Sequence, residues 1–196
     1  MVLSWEQSTP IQTFQETSIS TQRAWVTINE TALSQNVRAI KQLLSPHTQL
    51  MAVVKADAYG HGAVKVAKTV LEAGGEAFAV ATLQEGIDLR LAEIKAPILI
   101  LGVINSIEEV QALIRWQLDA TLCSPQQARM FGEVSEALGK TLSVHLKIDT
   151  GMSRLGVLWE EAVSFVRCVQ QFPNLKIKSV YSHLATADEE DDTFMQ

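Results

Sequence analysis

Short apolar runs alternate along this chain with longer stretches whose apolar residues recur every three or four positions. The runs Ala52–Lys55, Ala77–Ala81, Ile98–Leu101, Ala120–Cys123, Ser143–Asp149 and Ile177–Leu184 read as strands. Most are continuously apolar, the pattern of strands buried on both faces. The periodic stretches Ala63–Ala73, Gln84–Ile94, Ser106–Trp116, Pro125–Leu138 and Glu160–Gln171 read as helices. Their punctuation agrees. Gly74 and Gly75 stop the first, Pro97 follows the second, and Ser124 with Pro125 opens the fourth as N-cap and first helical residue. A helix Glu30–Leu44, with Leu33, Val37, Ile40 and Leu44 on one face, precedes the series and is closed by Pro46. Ahead of it, the alternation Ala24–Ile28 predicts a strand. The acidic stretch Asp188–Asp192 predicts the start of one more helix.

Six βα units with short links predict an α/β protein with a parallel sheet, either doubly wound or closed into a barrel. No GxGxxG follows the first strand, which favours the barrel. A complete (β/α)8 barrel of the TIM type needs eight strands and about 250 residues. Six units in 196 residues therefore read as an incomplete barrel, a fragment or a chain completed by another. Residues 1–22, rich in Ser, Thr and Gln, read as a flexible leader, and 23–196 as a partial barrel domain.

Charge and composition remove several classes. The net charge is -6, from 16 basic and 22 acidic residues with no basic cluster, which argues against a nucleic-acid partner. No apolar run approaches the roughly 20 residues that span a bilayer, so no membrane partner is expected. The N-terminus lacks the basic start and apolar core of a secretory signal. Cys123 and Cys168 read as reduced thiols of a cytoplasmic protein, and no metal site is expected because ligand pairs at close spacing are missing.

Three segments carry candidate chemistry. In MAVVKADAYGHG, Met51–Gly62, an apolar strand ends at Lys55 and a Gly-rich loop follows. Strand C-termini carry the chemistry of barrels. A partly desolvated lysine there can form a Schiff base, which points to pyridoxal phosphate. The plainer alternative is a lysine placed where the chain surfaces. In HLKIDTGMSRLG, His145, Lys147 and Asp149 share one strand face, and Arg154 follows in the loop. Lys147 beside Arg154 would be repelled. Carbamylation of Lys147 would remove the conflict, and pairing of Lys147 with Asp149 or an acidic neighbour is the alternative. In YSHLATADEE, His183 ends a strand, either to stack on an aromatic cofactor or move a proton, or simply as a hydrogen-bonded rim residue.

Together KADAYGHG, KIDTGMSRLG and SHLATADE resemble the successive signatures of the alanine racemase family, and RAWVTINETALSQNVRAIKQLL resembles its N-terminal opening. The resemblance runs from about Arg23 to the end. It implies an isomerase that interconverts L- and D-alanine through a pyridoxal 5′-phosphate aldimine, supplies D-alanine for peptidoglycan, and works as a homodimer. It implies that Lys55 is the Schiff-base lysine and the base for the α-proton of D-alanine. Tyr59 would hydrogen-bond the cofactor phosphate. Lys147 would be the carbamylated lysine (N6-carboxylysine). Arg154 would bind the cofactor's phenolic oxygen and the substrate carboxylate, and His183 would pack on the pyridine ring. The family's opposite base is a tyrosine of a C-terminal β domain, supplied by the partner subunit. This sequence lacks that domain, the last two barrel strands, the arginine facing the pyridine nitrogen and the main phosphate loop. Little racemase activity is therefore expected from this chain alone. A non-catalytic pyridoxal-phosphate-binding barrel of the cofactor-homeostasis type, and a related diamino-acid decarboxylase, suit the signatures less well.

Overall fold

Parallel pairing organises the computed structural model, which describes residues 24–187. Its strands are β1 (Met51–Val53), β2 (Ala77–Val80), β3 (Ile98–Ile100), β4 (Asp119–Leu122), β5 (Leu142–Asp149), β6 (Val157–Leu158) and β7 (Leu175–Tyr181). The first five pair in chain order, and β5 then takes two parallel partners: β7 along its body and β6 at its C-terminal end. Among the described residues β1 and β7 are not paired with one another, so the sheet is an open arc of a barrel.

The helices are α1 (Glu30–Leu43), α2 (Lys55–Gly60), α3 (Ala63–Glu72), α4 (Leu83–Leu91), α5 (Ile107–Trp116), α6 (Pro125–Ala137) and α7 (Ala162–Val169). Several of them start where side chains satisfy the free N–H groups of the first turn, α1 through Asn29, which accepts from the Ala32 N–H. Thr82 with Glu85 and Ser106 with Glu109 form capping boxes, and Ser124 accepts from the Gln127 N–H ahead of Pro125. At the opposite end of the sheet, Arg90 donates to the carbonyls of Ile94, Ala96, Trp116 and Gln117, tying the exits of α4 and α5 together.

The core lies between the outer sheet face and the helices. Phe78, Val80, Ile98, Ile100, Leu122 and Leu146 are sealed there against Leu89, Val110, Leu113, Phe131 and Phe165. Burying a large apolar side chain contributes roughly 1.5–3 kcal/mol, so this layer is the main stabilising element. The alternate residues face inward. Val53, Ala79, Leu99, Lys147 and Tyr181, from five strands, line a single cavity, so the sheet curls round it. Ala77, Ala79 and Ala81 make one wall of that cavity shallow.

The six anticipated parallel strands and their crossover helices are present, with boundaries moved by a few residues. The expected strand Ala24–Ile28 is absent. Residues 24–29 are irregular, and Trp25 and Val26 are 73% and 81% exposed, because alternation yields a strand only where a sheet edge pairs with it. The last strand ends at Tyr181 rather than Leu184, and Trp159–Glu161 forms a 3-10 turn ahead of α7. The two-residue β6 was not anticipated. The leader 1–22 and the acidic turn 188–192 lie outside the described residues. Among the described residues no helix is long and apolar enough to cross a membrane.

Candidate active site

The segment after β1 leaves the common backbone regions. Ala56, Asp57, Ala58 and Tyr59 have φ between +50° and +56°, so α2 is a left-handed turn. For residues with a Cβ this costs roughly 1–2 kcal/mol each. Neighbouring contacts hold the turn in place. The Ala58 N–H donates to Val54 O at 3.0 Å, and the Gly62 N–H to Asp57 O at 2.9 Å. Asp57 Oδ1 accepts from the Ala63 N–H at 2.7 Å and so caps α3. Glu85 Oε1 accepts from the Ala56 N–H at 2.7 Å. Lys55 opens this turn and Tyr59 closes it. Both line the cavity, with Lys55 Nζ 5.8 Å from the centre of the Tyr59 ring.

On β5, Lys147 points to the same cavity from the inner wall. No carboxylate among the described residues lies within ion-pair distance of it, so the alternative of a pairing with Asp149 or an acidic neighbour does not form. Asp149 is committed elsewhere: its Oδ1 accepts from the Gly151 and Ser153 N–H groups, both at 3.0 Å. These bonds hold its carboxyl below the usual range. The loop then returns through Gly156 (φ +114°), where a Cβ would lie 2.8 Å from Lys147 O, and β6 pairs back onto β5. Arg154 is thereby placed at the rim, with Lys147 and His183 lining the same recess. Burial lowers the Lys147 amine below its ordinary value; Cys123 and Asp149 work against that, and Arg154 adds to it.

Two further interactions lie on the inner wall. Thr121 donates to Ile100 O at 2.7 Å, so its single proton is spent. Tyr181, 2.8 Å from Thr121 Oγ1, must then be the donor. Burial also keeps the Tyr181 phenol above its usual pKa, so it stays neutral. One layer deeper, buried His145 bridges Ser179 Oγ (2.7 Å, through Nδ1) and Asp119 Oδ2 (3.2 Å, through Nε2).

Lys55, Tyr59, Lys147, Arg154 and His183, five residues singled out from the sequence, thus line one cavity of about 730 Å³. That is within the usual size of small-molecule sites. The inward position of His145 beside Lys147 agrees with the strand alternation. Tyr181, Thr121, Asp119, Ser179 and Glu85 were not singled out for the site. For Glu85 the Thr-x-x-Glu spacing of a capping box was the available signal; the others meet only through strand pairing.

The curled parallel sheet, with a cavity along its inner face, defines a barrel-type α/β domain. Comparison with known proteins is specific. The family model for the N-terminal domain of alanine racemase matches residues 28–196, and the chain belongs to that family. It is 60% identical over 168 residues to the alanine racemase of Synechocystis sp., covering 86% of this chain and 45% of that protein. It is 57% identical over 177 residues to that of Nostoc sp., covering 89% and 46%. Among solved structures, alanine racemase of Clostridium difficile 630 superposes with a TM-score of 0.77 at 35% identity, over 85% of this chain and 43% of that one. That of E. faecalis gives 0.75 at 39% identity, over 86% and 46%. The chain therefore spans about half the length of the curated relatives it matches.

Proposed function

We propose that this chain is the cofactor-binding part of an alanine racemase that uses pyridoxal 5′-phosphate. The observation that carries the reading is the convergence of Lys55, Tyr59, Lys147, Arg154 and His183 on one cavity inside the curled sheet. The donor set suits the cofactor. A phosphorylated, phenolic aromatic aldehyde calls for an amine, cationic and hydroxyl donors, and an apolar wall. The cavity supplies Lys55, Arg154, Tyr59 and the alanines of β2. Bound there, the cofactor would supply an aldehyde for amines and an electron sink that acidifies the substrate α-carbon.

Each residue then has one task. The Lys55 amine would hold the aldehyde carbon and, once displaced by substrate, take the α-proton of D-alanine at Nζ. The Tyr59 hydroxyl would donate to the phosphate. Arg154 would bind the phenolic oxygen and the substrate carboxylate, and His183 would cover one ring face. Lys147 as a carbamate would attract Arg154 instead of repelling it. Carbon dioxide reacts with a neutral amine, and the lowered pKa of Lys147 favours that form. The opposite face of the α-carbon would be served by a group from a partner subunit in a homodimer. Cytoplasmic supply of D-alanine for peptidoglycan is the corresponding cellular role.

Exchange of the α-proton tests this reading. With pyridoxal phosphate in D2O, D-alanine should lose its α-proton NMR signal faster than L-alanine, and Lys55→Ala should abolish the loss. Exchange that survives Lys55→Ala, or that favours L-alanine, would contradict the assignment of Lys55.

A further inference from the structure

We propose that Glu85 is a positioning residue for Lys55, an inference that rests on Lys55 being the cofactor lysine. Glu85 lies on α4, outside the groups that line the cavity. Its carboxylate joins two strand ends. Oε2 accepts from the N–H groups of Ala81 (2.7 Å) and Thr82 (3.0 Å), just past β2. Oε1 accepts from the N–H of Ala56 (2.7 Å), just past β1 and immediately after Lys55.

An ordinary capping box needs only the Thr82 contact. The bond to Ala56, 29 positions away, lies beyond capping. It pins the first residue of the left-handed turn. That turn spends conformational energy at four consecutive non-glycine residues, Ala56 to Tyr59. A strained turn keeps one geometry only where its surroundings over-determine it, and Ala56 is where the strain begins. Release of its N–H would let the turn relax towards ordinary backbone, and Lys55 and Tyr59 would lose their common aim. Three N–H donors converge on two carboxylate oxygens. An amide cannot replace this, because its NH2 would face one or two of those donors.

The experiment uses the 196-residue chain and follows the visible absorption band that pyridoxal phosphate develops when a lysine holds its aldehyde. The parent, Glu85→Gln, Glu85→Ala, Thr82→Ala and Lys55→Ala are titrated with the cofactor across pH. Thr82→Ala is the control: it weakens the same helix cap but leaves the Ala56 bond intact. Both Glu85 variants should bind at least about tenfold more weakly and shift the pH midpoint of the band, the effect of a misplaced reacting group. Thr82→Ala should stay close to the parent. Far-ultraviolet circular dichroism identifies a variant that fails to fold. Should Glu85→Ala be one, the near-isosteric Glu85→Gln gives the reading. Equal affinity and midpoint in Glu85→Gln and the parent would overturn the inference. So would an equal loss in Thr82→Ala and Glu85→Gln, which would reduce Glu85 to a helix cap. A parent without a Lys55-dependent band would overturn the cofactor reading itself.

Discussion

Lys147 Nζ stands 4.5 Å from the centre of the Tyr181 ring, with no carboxylate among the described residues close enough to pair with it. An aromatic face is a weak substitute for a carboxylate, worth about 0.5–2 kcal/mol. Burial, which disfavours the charged amine, therefore wins. Because the folded-state pKa lies below the unfolded one, the unfolded chain binds more protons between the two values, and stability rises with pH across that window. The Lys147 contribution to stability should fall as pH drops from about 10.5 to the folded-state value and level off below it, while the raised Cys123 and Tyr181 contribute the opposite slope in the alkaline range. In Lys147→Met that contribution should vanish, leaving the opposing slope of Cys123 and Tyr181. Urea midpoints of the two proteins against pH, in CO2-free buffer, give the difference directly.

Asp149 has a dependence of the same sign, in the acid range. Its carboxyl is held low by the Gly151 and Ser153 N–H groups, so its contribution is present above the ordinary carboxylate pKa and is lost as pH falls through the lower folded value. Asp149→Ala should free residues 150–156 at every pH, with faster amide hydrogen exchange confined to that loop. Unchanged protection at Ser153 would mean that β6 alone fixes Arg154.

Gly102 follows β3 and packs against the strand exit opposite. A Cβ there would lie 2.3 Å from the carbonyl oxygen of Ala81, which already accepts from the Gly102 N–H at 3.0 Å. Backbone has nowhere to move, so Gly102→Ala should cost about 1–3 kcal/mol in a denaturant titration.

His145 links three strands from inside through Asp119 and Ser179. His145→Leu leaves a largely buried carboxylate without this partner and should cost about 3 kcal/mol. The double variant Asp119→Leu with His145→Leu should be less destabilised than the sum of the singles, since no orphaned charge remains. Additive losses would show that the two side chains do not act as a pair.

Much of this arrangement was legible in the residues because burial and periodicity are local signals. Continuous runs such as Ile98–Ile100, buried on both faces, mark strands whatever their partners. Ser124 with Pro125 marks a helix start for equally local reasons. Lys55 and Arg154 were findable because the first ends an apolar run and both lie in Gly-containing segments. The left-handed path of Ala56–Tyr59 was not legible: alanine, aspartate and tyrosine all prefer other backbone regions, and tertiary contacts impose the turn. The Tyr181–Thr121 and His145–Asp119 contacts depend on register across strands, which no single segment encodes. The expected strand Ala24–Ile28 failed for the converse reason, since its local pattern is not paired with a sheet edge among the described residues.

The most direct test of the central claim is reductive trapping. The chain is mixed with pyridoxal phosphate, reduced with borohydride, digested, and the labelled lysine located by mass spectrometry. A single dominant adduct on Lys55, lost in Lys55→Ala and weakened in Arg154→Ala, is the predicted result. Labelling scattered over surface lysines, or a dominant adduct at any other position, would contradict it.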